Sequence, residues 1–149
     1  MKVHVLAIVL IIGMAAAIPV ASAQIIEEKD GYIVATEDNS RHLVEVSRIS
    51  ASSITQGQTQ WYSTSVSSGK TAFYADLSWG QPSSSLALTI SPPGTSLGPY
   101  YDGADGVVDG RINIRVTSGG SLTPGTWWSK VYGYSVSGSQ SYTYSASAA

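Results

Sequence analysis

The chain contains no cysteine, little charge and almost no histidine, and each shortage excludes a class of chemistry. Without cysteine there is no disulfide, no thiolate zinc site and no cysteine nucleophile. Charged residues make up 12% of the 149 residues, with 8 basic against 10 acidic side chains. A balance this close to neutral excludes the basic surface that nucleic acid or an anionic membrane surface requires.

Histidine, the usual general base and metal ligand, is equally scarce. His4 lies in the N-terminal segment, so a processed chain would keep His42 alone. Most general-base catalysis and histidine-rich metal sites therefore lose their usual residue. His42 stands beside Arg41 at the start of a predicted strand, and no neighbour completes a catalytic triad. We assign His42 no role.

The long apolar run of the chain lies at its N-terminus. Residues 5–17 are almost entirely apolar, follow Lys2, and precede Pro19 and a short group of small residues. This order is typical of a secretion signal, and we expect residues 1–23 to form a signal helix cleaved before Gln24. The alternative is an uncleaved membrane anchor, because the stretch is nearly as long as the roughly 20 residues that a spanning helix needs. Cleavage predicts a secreted, extracellular protein without membrane contact.

After the signal, apolar side chains recur at every second position, and turn clusters rich in Gly, Pro and Ser separate the runs. Period-two alternation is typical of half-buried β-strands. We also predict a hairpin of residues 32–36 and 42–47 within an N-terminal extension, 24–50. Six to eight short strands predict an all-β fold, an antiparallel, jelly-roll-like β-sandwich over 51–149. The sandwich strands are predicted at residues 62–66, 71–79, 86–91, 111–116, 127–134 and 141–146.

Four stretches share strand order and turns with a known secreted family. They are WYSTSV at 61–66, ADLSW at 75–79, SLALTISPPG at 85–94 and PGTWWSKVYG at 124–133. Through them, residues 60–145 resemble the bacterial pre-peptidase C-terminal (PPC) domain, a secreted jelly-roll-like β-sandwich often appended to extracellular proteases. The resemblance implies a non-catalytic role in adhesion or substrate targeting, as in the similar collagen-binding modules of secreted collagenases. The acidic Asp-Leu-Asp-Leu frequent in the family is SSLAL here, so no ion site follows from it.

A glycine-rich loop concentrates half of the six aspartates of the chain, Asp102, Asp105 and Asp109. Oxygen ligands on such a loop suit Ca²⁺, which accepts six to eight oxygens in irregular geometry. The spacing departs from the EF-hand pattern. The alternative is a solvated turn in which the aspartates bind their own backbone and Arg111 offsets their charge. The sequence therefore predicts a calcium site at these three residues, with this turn as the alternative.

Two patterns that could indicate hydrolysis fail on context. Ser96 lies in a G-x-S-x-G pattern, but prolines flank it on both sides, whereas a nucleophile elbow needs a strand before and a helix after. Paired carboxylates for glycoside hydrolysis would again be the three aspartates, which share one loop instead of facing each other across a cleft. The sequence predicts no enzyme.

Aromatic residues give the more useful signal. Trp127 and Trp128 are adjacent, so one sheet face cannot bury both. The resemblance implies that Trp127 faces inward, and the outer face then carries Lys130 and a stripe of candidate ligand-binding residues: Trp61, Trp128, Tyr132 and Tyr134. Such stripes bind sugars, collagen-like peptides or partner proteins. The alternative is that the upstream hairpin covers this face.

These features predict a secreted, non-catalytic binding or adhesion module for an extracellular polysaccharide or protein, with a calcium-stabilised loop. One alternative is an accessory module or minor hydrolase associated with extracellular proteolysis. Another is a structural component of the cell envelope that assembles through exposed edge strands. The oligomeric state is left open.

Overall fold

The computed structural model of the chain describes residues 23–37 and 49–149, and 61% of these residues lie in strands. Two antiparallel sheets confirm the all-β prediction and are consistent with a β-sandwich. Within the described ranges no helix is long and apolar enough to cross a membrane. The predicted signal helix and the predicted strand 42–47 lie outside these ranges. The strands are β1 (Ile25–Lys29), β2 (Tyr32–Thr36), β3 (Ser50–Thr55), β4 (Thr59–Val66), β5 (Ala72–Ser78), β6 (Ser85–Ser91), β7 (Leu97–Tyr100), β8 (Arg111–Ser118), β9 (Gly125–Ser135) and β10 (Ser139–Ala148), with a short 3-10 helix at Asp102–Asp105.

The strands divide into a six-stranded and a four-stranded sheet. Sheet A has the order β1-β2-β8-β5-β10-β3, and sheet B has the order β4-β9-β6-β7. All paired strands are antiparallel. Consecutive strands β3 and β4 lie in different sheets, at the edge of each, so the turn between them joins the two layers on one side.

The core lies between the sheets and follows the period-two pattern of the sequence. Trp127 is its centre: the indole stacks on Phe73 at 4.7 Å between ring centroids and meets Tyr32 edge-on at 5.6 Å. Aromatic pairs in these arrangements add to the free energy gained from burying their area. The largest fully buried side chains are Val34, Ile54, Phe73, Leu77, Leu86, Leu88, Ile90, Leu97, Ile112, Ile114, Leu122 and Trp127.

The described part of the N-terminal segment forms a hairpin of β1 and β2. Strand β2 pairs with β1 on one side and with β8 on the other. The β1–β2 turn is Asp30-Gly31, and both residues have positive φ, 51° and 82°. A two-residue turn of this kind matches the twist of a hairpin, and Asp-Gly is a strong signal for it. Residues 25–36 therefore contribute the first two strands of sheet A.

Residues 143–149 are an integral part of sheet A. Strand β10 continues to Ala148 and pairs with β5 along this last part. The N–H of Ala149 donates to the Ala72 carbonyl at 2.9 Å, and the Ala149 carbonyl accepts from the N–H of Thr71 at 2.7 Å. These hydrogen bonds fix the end of the chain against the start of β5.

Candidate functional site

The outer face of sheet B carries the predicted aromatic residues. Along β9, Trp127 is buried and Trp128 points outward, as the strand alternation requires. Strand β4 is paired with β9 so that Trp61 lies opposite Lys130 and Ser63 lies opposite Trp128. Trp61 and Trp128 are therefore diagonal neighbours, at about 7–8 Å for such pairs.

The rings on this surface are open to solvent. Trp61 is 56% exposed, Trp128 is 46% exposed and Tyr134 is 53% exposed, whereas Tyr132 is half-buried. The structure thus places all four predicted residues on the outer side of sheet B. With the residue described next, these side chains form the surface called here the aromatic face: Trp61, Tyr101, Trp128, Tyr132 and Tyr134.

Tyr101 is the residue of the aromatic face that was not predicted from the sequence. Its ring lies 4.8 Å from that of Tyr134 and is 39% exposed. Tyr100, the preceding residue, is buried in the core. The signal was the adjacent tyrosine pair, because neighbouring residues of an extended chain face opposite ways, as they do in the Trp127-Trp128 pair.

Among the residues that the structure describes, one cation, Lys130, lies within this surface. The ammonium of Lys130 is 5.8 Å from the centroid of the Trp61 ring, within the range of a cation–π contact. This contact holds the lysine beside the indole and supports the indole from one side.

The alternative to an open aromatic face is that the upstream hairpin covers it. Strand β2 lies in sheet A, between β1 and β8, and so does not cover the outer face of sheet B. Residues 42–47 fall outside the described ranges.

Asp102 has a structural position in the aspartate loop. It is 5% exposed, and its Oδ1 accepts backbone N–H groups from Asp109 at 3.1 Å, Gly110 at 3.0 Å and Arg111 at 3.3 Å. Its Oδ2 also accepts the Gly110 N–H, at 3.1 Å. The carboxylate therefore holds the end of the loop against the start of β8. This is the backbone-binding role named above as the alternative to calcium.

The other members of the loop are more open. Asp105 accepts the Val107 N–H at 3.0 Å, and Asp109 is exposed. Burial raises the pKa of Asp105, and the charges of Asp109 and Asp102 add to the effect. The part of the chain that the structure describes has no group of three or more His, Cys, Asp or Glu side chains placed to hold a metal ion. Calcium binding at Asp102, Asp105 and Asp109 stays a prediction.

Arg111 follows the loop but is engaged elsewhere. Its Nε and one Nη donate to the two carboxylate oxygens of Asp76 at 2.8 and 2.7 Å. This bidentate pair raises the pKa of the guanidinium. The ion pair links the neighbouring strands β8 and β5 in sheet A. The guanidinium is therefore directed to Asp76 and not to the loop aspartates.

Ser96 does not have the setting of a nucleophile elbow. It lies in the loop between β6 and β7, so a strand follows it where an elbow has a helix. Its hydroxyl lies 3.3 Å from that of Ser91, and its carbonyl accepts from the ammonium of Lys29 at 2.8 Å. His42 lies outside the described residues.

A concave region lies where β1 meets β7. Its cavity of about 460 Å³ is lined by Ile26, Pro99 and Tyr101 among others. At its edge the Glu27 carboxylate accepts the Gly98 N–H at 3.0 Å and the Tyr100 hydroxyl. Burial raises the pKa of this tyrosine, and the bond to Glu27 adds to the effect. These contacts tie the edge of sheet A to the edge of sheet B.

Comparison with known proteins assigns no family to the chain. No protein-family model matches it, and no curated protein matches it at a significant level.

Proposed function

We propose that this protein is a secreted, non-catalytic module that binds an extracellular polymer or protein through the aromatic face. The observation that carries the proposal is the exposure of Trp61, Trp128 and Tyr134, each about half open on one side of sheet B. Soluble monomers rarely expose large apolar groups together unless the patch binds something. Tryptophan and tyrosine are also the residues that most often dominate binding energy.

The scaffold beneath the rings is rigid, which suits recognition. Strand β9 lies between β4 and β6 and packs its inner residues Trp127, Ser129 and Val131 fully into the core. Ser129 is satisfied there by the Tyr144 hydroxyl, which donates to it. A strand that is already ordered loses little backbone conformational entropy on binding, so more of the contact energy becomes affinity.

The test is a double replacement, Trp128→Ala with Tyr132→Ala, screened against arrays of glycans, collagens and other extracellular proteins. Loss of binding with an unchanged melting temperature is expected, because both side chains point away from the core. The matched control is Tyr74→Ala on the outer face of sheet A, which should bind as the native protein does. Native binding by the double variant would overturn the proposal.

We also propose that calcium stabilises the loop that holds Asp102, Asp105 and Asp109. The repulsion that helps to raise the pKa of Asp105 is an interaction that a bound cation removes. A site with the weak affinity of extracellular modules adds about 1 kcal/mol at millimolar calcium. Thermal unfolding in EDTA and in excess calcium tests this, and equal melting temperatures would contradict it.

We propose further that residues 1–23 are a signal and that the sandwich is a jelly-roll-like relative of the PPC domain. The stretches 61–66 and 124–133, which carry the resemblance, contribute to the paired strands β4 and β9. Mass spectrometry of the exported protein should find Gln24 at its N-terminus. A start at Met1 would contradict cleavage.

A structural role in the cell envelope is the second candidate, and two edge strands favour it. Strand β3 (SASSIT) and strand β4 (TQWYSTSV) contain neither charge nor proline. The other edges are protected in the usual ways, since β1 contains two glutamates and a lysine and β7 is short and contains a proline. Sedimentation velocity over a concentration series tests assembly through the open edges. A monomer at all concentrations would exclude it.

A further inference from the structure

We infer that the aromatic face binds a neutral polysaccharide chain. The inference rests on the proposed function and narrows it from polymers in general to one chemical class. It depends on the composition of the surface that the sheet B register assembles around the rings, and not on the rings alone.

The outward positions of β4, β9 and β6, strands that the structure describes in full, carry almost exclusively aromatic and hydroxyl side chains. Registered rows bring Ser63, Trp128 and Ser91 together, then Trp61, Lys130 and Thr89. No aliphatic side chain larger than alanine and no carboxylate occurs in these positions. The outward set open to solvent is Thr59, Trp61, Ser63, Ser65, Thr126, Trp128, Lys130, Tyr132, Tyr134 and Ser91, whereas Ala87 and Thr89, although outward in register, are buried between their neighbours.

This composition fits a sugar better than a protein. A pyranose ring has C–H faces that stack on aromatic rings and hydroxyl edges that pair with Ser and Thr hydroxyls. The cores of protein interfaces, in contrast, add Met and Arg to their aromatic residues and bury more aliphatic area. The face has Ser63 and Ser91 on either side of Trp128, where a protein interface would place larger apolar groups.

The charge of the surface selects a neutral polymer. Acidic polysaccharides need several cations, and the outward positions of these three strands supply only Lys130, which already contacts Trp61. A cationic polymer needs carboxylates, which these positions lack. Binding through the face should therefore depend little on ionic strength.

The length of the aromatic row indicates a chain and not a single sugar. From Trp128 to Tyr134 along β9 the row spans six residue steps, about 20 Å at about 3.4 Å per residue. Trp61 lies one strand to the side, and Tyr101 contacts Tyr134 at the far end. A polysaccharide lying along β9 would contact several rings at once.

The experiment measures binding of the native protein to cellulose, chitin, mannan and starch. Heparin and alginate represent acidic polymers, and casein and fibrillar collagen represent proteins. Binding to at least one neutral polysaccharide is expected, unchanged in about 0.5 M NaCl. Trp61→Ala and Trp128→Ala should each weaken it about tenfold or more. The control Tyr74→Ala, on the outer face of sheet A, should retain it.

Acrylamide quenching gives a readout independent of affinity. Trp61 and Trp128 are exposed, whereas Trp79 and Trp127 are buried, so quenching reports on the aromatic face. The bound neutral polysaccharide should protect the exposed pair. Binding confined to acidic polymers or proteins, or to nothing, overturns the assignment of a neutral polysaccharide. If a protein binds and Trp128→Ala abolishes that binding, the proposed function still stands. If both tryptophan variants bind every polymer normally, the proposed function fails as well.

Discussion

At the scale of single residues, Asp102 is the polar side chain on which the aspartate loop most depends. Its buried carboxylate accepts N–H groups from Asp109, Gly110 and Arg111. Asp102→Asn removes the charge and replaces Oδ2, which accepts the Gly110 N–H, with an NH₂ donor, so we expect a loss of about 2 to 3 kcal/mol in the free energy of unfolding. Urea denaturation measures it. Asp109→Asn, at an exposed position, is the control and should stay within about 0.5 kcal/mol of native. Equal stability of the two variants would contradict this role.

Unlike the Asp102 carboxylate, which stabilises the fold, the ionised Asp105 carboxylate lowers the stability of the folded protein. Burial raises its pKa above the usual value, so ionisation costs the folded protein free energy at neutral pH. The cost is present above the raised pKa and disappears as the pH falls below the unfolded value of 3.8. Asp105→Asn should therefore raise the melting temperature at pH 7 and lose this advantage in acid. A melting temperature below native at pH 7 would show that the Val107 hydrogen bond outweighs the burial.

At the scale of elements, the β3–β4 turn packs directly on β9 at Gly133. A Cβ built there would lie 2.2 Å from the Thr55 carbonyl oxygen. The Gly133 carbonyl accepts the Gly57 N–H, and the Gly133 N–H donates to the Gln58 carbonyl. Because the obstruction is backbone, it cannot rotate away. Gly133→Ala should cost about 3 kcal/mol or more in urea unfolding.

The matched control for this replacement is Gly119→Ala. Position 119 lies in the turn after β8, where an added Cβ meets nothing within 4 Å. It should unfold close to native, since no atom has to move. Equal destabilisation of both variants would mean that the close approach of the β3–β4 turn is not what position 133 requires.

The strands that the sequence predicted best are those with one face in the core. In β5, β8 and β9 the alternation that buries Phe73, Ile114 and Trp127 is visible in the residues themselves. Strand β7 was missed because Gly98 and Pro99 interrupt its pattern, and its place depends on pairing with β6. A four-residue strand that is paired at only two register positions leaves too few side chains for a local periodicity to reveal it.

The candidate site could likewise be predicted from the sequence only in part. Trp61 and Trp128 could be placed on an outer face from strand alternation alone. Their meeting on one surface required the register of β4 against β9, and the contact of Tyr101 with Tyr134 required the path of the chain after β7. The acceptor role of Asp102 depends on three N–H groups seven to nine residues away, which spacing alone does not reveal.

At the scale of the whole molecule, the two sides of the sandwich are closed differently. On one side, Glu27 binds Gly98 and Tyr100, Lys29 binds Ser96, and Asp30 accepts from Thr95, so β1 is tied to the β6–β7 region. On the other side the closure depends on the β3–β4 turn and on a pair of tyrosine hydroxyls, Tyr62 and Tyr142, 2.6 Å apart. The polar ties coincide with the protected edges, and the open edges lie beside the aromatic face.

Strand β10 is an inner strand of sheet A, so the fold depends on the residues at the end of this strand. Strand β10 lies between β5 and β3, and Ala149 hydrogen-bonds to Thr71 and Ala72. Deleting residues 146–149 removes these bonds and the pairing with Phe73, and we expect a loss of about 3 kcal/mol or more in urea unfolding. Extending the chain by four glycine and serine residues should leave stability near native, because the Ala149 carbonyl still accepts as a peptide group. A deletion as stable as the extension would show that sheet A does not need the end of β10.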